Sequence, residues 1–293
     1  MTAIIMDGKE LARQVRERLR GEVLSLKATG IEPRLETIHV GDDAPSKMYL
    51  ATKHKAANEI GIATTNHSLG ADATAQDVGT LIASLNSRHD VHAILLQMPL
   101  PPHLSPPAIL GLITPEKDAD GLTPENISKL VFSQDALIPC TPKGIMALLK
   151  HYRIQLRGAH VVIINRSILV GKPLCHLMMG EDATVTMCHS KTKGLSELSR
   201  RADIVVSAVG RRPEFVLEAD MVKNGAVVVD VAMNRVDGKV VGDVNFLPVS
   251  EKASYITPVP GGVGPMTVAM LLENTVAAAI IQSSRARALV AAE

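Results

Sequence analysis

Apolar residues fall along this chain in two rhythms. Between residues 9 and 28, Leu11, Val15, Leu19, Val23 and Leu26 recur every three or four positions. That spacing predicts one apolar stripe on a surface helix, closed near Gly30. RLETIHVG reads as a strand, and PSKMYLATKHKAANEIG as a helix with Ser46 near its start and Gly61 just past its end. Leu81 to Leu85 fits a further helix. VHAILLQ is a nearly continuous apolar run, as found in strands buried on both faces. Helices alternating with such strands predict a parallel α/β layer.

From residue 98 to 142 the pattern breaks. Prolines at 99, 101, 102, 106, 107, 115, 124, 139 and 142 make this stretch a connector between two domains. A second alternation follows. AHVVIIN, ATVTMCH, DIVVSAVG and GAVVVDVAM read as strands, and PLCHLMM and KGLSELSRRA as helices. Val- and Ile-rich runs at that rhythm predict a doubly wound, Rossmann-like parallel sheet. RVDGKVV reads as a hairpin with an Asp-Gly turn. The Gly/Pro-rich YITPVPGGVGPMT then leads into a final helix, about Thr267 to Ala279, expected to pack back on the first domain. The expected domains are therefore 1–122 plus 271–293, and 140–270.

The chain has 293 residues, 46% hydrophobic and 21% charged, which excludes a disordered or coiled-coil chain. Thirty-one basic against 30 acidic residues leave a formal charge of +1. No global field then calls for nucleic acid or an anionic membrane. Aromatics are 2% with no Trp, so stacking platforms for bases are nearly missing. Cys140, Cys175 and Cys188 form no CxxC pair, which argues against a disulfide framework and fits a reducing cytoplasm. The opening residues are too short an apolar run for a signal peptide. The apolar stretch near the C-terminus is interrupted by Glu273 and Asn274, so no bilayer span is expected. No histidine spacing backed by carboxylates suggests a metal site, and no GxSxG is present.

Three places carry candidate chemistry. The turn Asn165-Arg166-Ser167-Ile168-Leu169-Val170-Gly171 follows a predicted strand and opens a helix, where a dinucleotide fold brings amides to a pyrophosphate. It is not GxGxxG, and an ordinary strand-to-helix turn reads equally well. The next strand ends in Cys188-His189-Ser190-Lys191 rather than an acid. With Arg166 this suits a 2′-phosphate, so NADP is favoured over NAD; a solvated basic turn is the alternative.

In the first domain, Tyr49 and Lys53 stand four apart on one helix face. An enclosed lysine is pushed toward its neutral form, and a neighbouring phenol can share its proton. Gln97 ends a strand where open α/β sheets place ligands, and Asp120 follows in the connector. Each has a plainer explanation: a snorkelling surface pair, a backbone-satisfying Gln, an Asp-Gly turn. The loop from Pro258 to Pro265 holds Gly261, Gly262 and Gly264; close approach to a ligand and a tight crossover account for it equally.

Taken together, VGDDAPSKMYLATKHKAANEIGI, LLQMPLPPHL, PEKDADGLTPENISKL, PCTPKGIMALL, RSILVGKPL, ATVTMCHSKT, ADIVVSAVG, VVGDVNF and TPVPGGVGPMTVAMLLENT resemble the bifunctional methylenetetrahydrofolate dehydrogenase/methenyltetrahydrofolate cyclohydrolase family. The resemblance spans nearly the whole chain. It implies two α/β domains flanking a cleft, a homodimer joined through the cofactor domains, and NADP as cofactor. It places the family's catalytic lysine on Lys53 and its tyrosine on Tyr49, with Gln97 and Asp120 completing the polar set. Leu96, Met98 and the loop Pro260, Gly261, Gly262, Val263 and Gly264 fall on folate-contacting segments. Arg166, Ser167 and Ser190 fall on NADP contacts, and Met233 beside the nicotinamide half. Asn165 and Ala232 stand where the family usually has glycine. If either position needs positive φ, strain follows, and that motivates an alternative: a cyclohydrolase with impaired dehydrogenase activity. A non-catalytic folate or dinucleotide binder is the third reading.

Overall fold

The structure, a computed structural model, describes residues 2–290. Met1 and residues 291–293, the ends of the expected first domain, lie outside the described residues. The strands are β1 (Ile4–Ile5), β2 (Arg34–Val40), β3 (Ala63–Leu69), β4 (Ala93–Leu96), β5 (His160–Ile164), β6 (Thr184–Cys188), β7 (Ile204–Ser207), β8 (Val227–Asp230), β9 (Asn234–Val236), β10 (Lys239–Val241) and β11 (Tyr255–Ile256). The helices are α1 (Gly8–Ala28), α2 (Ala44–Glu59), α3 (Ala75–Ser87), α4 (Pro106–Leu110), α5 (Pro124–Val131), α6 (Cys140–His151), α7 (Gly171–Gly180), α8 (Leu195–Arg200), α9 (Phe246–Ser250) and α10 (Val263–Val290).

The chain divides into two compact units. One comprises residues 2–13 and Thr141–Thr267, the other Gln14–Cys140 and residues 268–290. The latter is built on a three-stranded parallel sheet ordered β3-β2-β4. Leu35, Ile38, Ile82, Leu85, Ile94 and Leu95 are almost wholly buried in it. The helix ends follow local chemistry. Asp43 caps α2 by accepting from the Ser46 amide at 2.9 Å, satisfying a first-turn donor. Thr74 and Asp77 form a reciprocal capping box on α3. Residues 63–69, ATTNHSL, show no strand in their hydrophobic pattern, yet they pair along the full length of β2. An edge strand with one solvated face needs no apolar run.

The six-stranded unit has the parallel order β1-β11-β8-β7-β5-β6. β5, β7 and β8 are buried throughout or nearly so, as continuous Val/Ile runs predict. β9 and β10 form the expected hairpin, with Asp237 and Gly238 both at positive φ.

Two boundaries differ from the sequence reading. Residues 2–13, expected in the first domain, belong to the six-stranded unit because Ile4 and Ile5 pair in parallel with Tyr255 and Ile256. A two-residue strand has no period to read. The last helix runs Val263–Val290 rather than stopping near Ala279. It is long and apolar enough to cross a membrane, but 56% of its apolar window is buried inside the protein. Asn274, fully buried, donates from it to the carbonyls of Ala119 and Ile138 at 3.0 and 2.9 Å. Those are the marks of a core helix.

Candidate active site

In the three-stranded unit β2 lies between β3 and β4, so the strand order reverses between β2 and β4. Open parallel sheets bind ligands beyond the carboxyl ends of the strands at such a reversal. Gln97 stands there, its amide donating to the carbonyl of Ile38 at 2.8 Å. Its side-chain Nε2 donates to the Met98 carbonyl at 2.6 Å, which turns Oε1 toward α2. Lys53 reaches in from α2 and donates from Nζ to that oxygen at 3.0 Å. Gln97 is buried and Lys53 half-buried. Tyr49, one turn earlier on the same helix, is 42% exposed, so its ring keeps a solvent-facing surface beside the buried amine.

Burial drives the electrostatics. Desolvation pushes the Lys53 amine below the ordinary lysine range, against the opposing pull of Asp120 and Cys140. Desolvation raises Asp120 above the usual carboxylate range; Lys53 and hydrogen bonds from Cys140 oppose the rise, and Asp118 adds to it. Asp120 owes its place to the next residue. Gly121 has φ +67°, and a Cβ there would lie 2.5 Å from the Ile138 carbonyl carbon, so no other residue fits the turn. Asp118 is fully engaged in structure, accepting from the Thr123 amide at 2.7 Å and Asn126 Nδ2 at 2.9 Å.

Lys117 supplies a contrast. It is buried, but its Nζ donates to the carbonyls of Asn86 and Arg88 at 2.8 and 2.6 Å, capping the end of α3. Lys53 instead faces a side-chain amide and a carboxyl at a strand end. Behind α2, His54 Nε2 meets Thr37 Oγ1 at 2.8 Å, and that hydroxyl lies 2.9 Å from Asn66 Oδ1. Neither this row nor Cys140 beside Asp120 carries a motif; both arise from non-local pairing.

In the six-stranded unit β5 lies between β6 and β7, so the order reverses between β5 and β7. The turn Asn165 to Gly171 leaves β5 there. A Cβ on Gly171 would come within 2.2 Å of the Asn165 carbonyl oxygen, so the cradle exists only because residue 171 is glycine. Ile164 and Cys188 are register partners, which places Arg166 and Ser190 each two residues past that pair. Both are exposed. Exposed Arg166, Ser190 and Lys191 at adjacent strand ends supply donors and charge for a phosphate-bearing dinucleotide, so the residues present fit NADP. Met233, 46% exposed, follows β8.

Neither Asn165 nor Ala232 has positive φ; among the described non-glycine residues Ser133, Arg153, Asp182 and Asp237 do. The backbone strain that would impair the cofactor half is therefore missing at both positions.

The Pro258–Pro265 loop belongs to the six-stranded unit. Its glycines serve packing as well as access: a Cβ on Gly8 would clash with Gly262, and the Lys9 amide donates to the Gly261 carbonyl at 2.9 Å. Pro260 and Gly264 are exposed, Gly261 is half-buried, and Gly262 and Val263 are buried. Leu96 is 2% exposed and Val263 1%. Their side chains fill the core, leaving backbone to offer a ligand. Met98 is half-buried.

Comparison with known proteins points to one family. Residues 6–120 match the tetrahydrofolate dehydrogenase/cyclohydrolase catalytic domain, and residues 139–283 match the NAD(P)-binding domain of the same family. A bifunctional protein FolD of Cenarchaeum symbiosum is 54% identical over 96% of this chain and 100% of its own length. One from Nitrosopumilus maritimus is 48% identical over 97% and 99%. Among solved structures, the bifunctional FolD enzyme of Campylobacter jejuni superposes with a TM-score of 0.92 at 46% identity, covering 95% of this chain and 99% of that one. The Trypanosoma brucei enzyme, complexed with NADP cofactor and inhibitor, gives 0.91 at 37% identity over 96% and 98%.

Proposed function

The chain belongs to the tetrahydrofolate dehydrogenase/cyclohydrolase family, and from that premise we propose how its residues divide the work. The protein is a bifunctional enzyme. It oxidises 5,10-methylenetetrahydrofolate to the 5,10-methenyl cation with NADP⁺ and hydrolyses that cation to 10-formyltetrahydrofolate. When bound, NADP⁺ supplies the hydride acceptor. Arg166, Ser167, Gly171, Ser190 and Met233 would hold it, on the turn that begins at Asn165, with Arg166 and Ser190 offering donors and charge to the 2′-phosphate.

The single observation that carries the residue assignment is the Lys53–Gln97 hydrogen bond at the strand reversal of the three-stranded unit. Hydrolysis joins water to the one-carbon bridge and then breaks one of its carbon–nitrogen bonds. A base must take a proton from the water as it adds, and an acid must return one to the departing ring nitrogen. Lys53, made easier to deprotonate by burial, serves as the former when neutral and the latter once protonated. Gln97 holds the amine in place, Tyr49 shares the proton at the open side, and Asp120 anchors the pterin ring. The cationic substrate itself disfavours a charged lysine nearby, acting in the same direction as burial. Met98 and the backbone of Leu96 line the folate site.

We further propose a cytoplasmic homodimer that engages neither nucleic acid nor membrane. Assaying both half-reactions by absorbance, with NADP⁺ and NAD⁺ side by side, tests the reading. NADPH formation and methenyl hydrolysis, with NAD⁺ the poorer acceptor, are expected. Hydrolysis without any NADPH formation would favour the impaired-dehydrogenase alternative.

A further inference from the structure

The turn that leaves β5 is built by a side chain. Asn165 Oδ1 accepts from the Ser167 amide at 2.7 Å, from the Ser167 hydroxyl at 2.7 Å and from the Gly171 amide at 3.0 Å. Its Nδ2 donates to the Ala208 carbonyl at 2.6 Å, one residue beyond β7. β5 and β7 are the two strands at the order reversal, so one amide group ties together the two strand ends where a dinucleotide enters this kind of sheet. The contacts continue on both sides. Ser167 Oγ accepts from the Val170 amide at 3.1 Å. Beyond Ala208, buried Asp243 accepts from the Ser207 hydroxyl and from the amides of Val209 and Gly210 at 2.7, 2.7 and 3.0 Å. The carbonyl offered to Asn165 therefore sits in a segment that is itself fixed. Val170, the N-terminal flank of α7, has no side-chain cap of its own. Asn165 supplies an acceptor to the helix's first amide from six positions upstream.

We propose that Asn165 is a positioning residue for the dinucleotide. It pre-forms the Ser167–Gly171 turn and holds it at a set distance from the end of β7, so that binding does not have to order that turn. The gain is one of preorganisation: a loop already held in its bound shape loses less freedom on binding. This rests on the reading of the six-stranded unit as the NADP holder, and goes beyond it in assigning the role to a side-chain amide.

The test uses the full-length enzyme and the variants Asn165→Ala and Asn165→Asp. Amide hydrogen exchange is measured without ligand, and NADPH binding by fluorescence titration. In Asn165→Ala the Ser167 and Gly171 amides should exchange at least tenfold faster while the β5 amides keep their protection. NADPH should bind about tenfold more weakly, KM for NADP⁺ should rise similarly, and kcat at saturating NADP⁺ should stay within threefold. Methenyl hydrolysis without dinucleotide should be unchanged. Asn165→Asp keeps the three accepting contacts but sets a carboxylate oxygen against the Ala208 carbonyl, so the turn amides should remain protected while the tie to β7 is lost. Equal NADPH affinity in wild type and Asn165→Ala overturns the proposal. So does a parallel loss of binding and hydrolysis, which would make Asn165 a general support of the fold, and so does unprotected exchange in Asn165→Asp. Failure of wild type itself to bind NADPH would instead overturn the reading of the unit.

Discussion

Lys53 and Gln97 lie 44 positions apart and meet at 3.0 Å, because one follows β2 through a helix and the other ends β4, the strand hydrogen-bonded to β2. The amine is buried by that approach and the amide oxygen is aimed at it by a hydrogen bond to Met98. Burial there makes the amine easier to deprotonate.

Replacing Lys53 by Met keeps the volume and removes the amine. Methenyl hydrolysis should fall by at least about 100-fold, the lower range for loss of a general acid–base group. NADPH binding should persist, and hydride transfer should survive in part. Full hydrolysis in Lys53→Met would remove Lys53 from its assigned role.

Lys53 and Lys117 should separate function from stability. Lys117→Met deprives carbonyls at the end of α3 of their donor and should cost about 3 kcal/mol, in keeping with the penalty for unpaired buried polar groups. Its kcat should stay close to wild type. Lys53→Met should show the opposite pattern, with stability kept and hydrolysis lost. Thermal melts and initial rates on the same samples decide it.

The pH profile gives a further check. A neutral Lys53 is the active base, so the hydrolysis rate should rise with pH through the lysine's titration and level off below the ordinary lysine range. The Asp120 charge opposes that depression. Asp120→Asn should therefore move the rising limb of kcat to lower pH. A shift to higher pH would mean that Asp120 does not act on Lys53 electrostatically.

Asp230 is buried at the end of β8 and, through desolvation, is pushed up to about 6 despite accepting from the amides of Asp243 and Val244. Its folded value lies above the unfolded value of about 3.9. The folded state thus holds the proton more tightly. Its contribution is full below about pH 4 and is lost as pH rises through 6, amounting to about 3 kcal/mol. The stability of wild type relative to Asp230→Asn, measured by denaturant unfolding, should fall between pH 4 and 7. A pH-independent difference would show that Asp230 titrates normally.

Gly121→Ala forces a Cβ to within 2.5 Å of the Ile138 carbonyl carbon at a φ of +67°. Left-handed backbone alone costs about 1–2 kcal/mol for a residue with a side chain. The variant should melt lower and hydrolyse more slowly, because the turn carries Asp120. NADPH binding should change little, since the glycine lies in the other unit.

Periodicity and local chemistry settled much of this protein before any coordinates. The stripe from Leu11 to Leu26, the Val/Ile runs of β5, β7 and β8, and the Asp-Gly hairpin follow from short-range physics: side-chain spacing, buried-strand composition and turn geometry. The motifs that mark the family were equally plain, since Tyr49, Lys53 and the Gln97 segment are contiguous strings. Other features were invisible because they depend on partners far along the chain. The two-residue β1 exists only through β11, polar β3 only through β2, and Cys140 faces Asp120 only because Gly121 and Ile138 pack closely. Asn165 makes the same point most sharply. Sequence marked it as a departure from glycine and a source of strain, whereas the fold makes its amide the link between two strand ends. A residue type constrains its own backbone, but only the tertiary structure decides which donors and acceptors it meets.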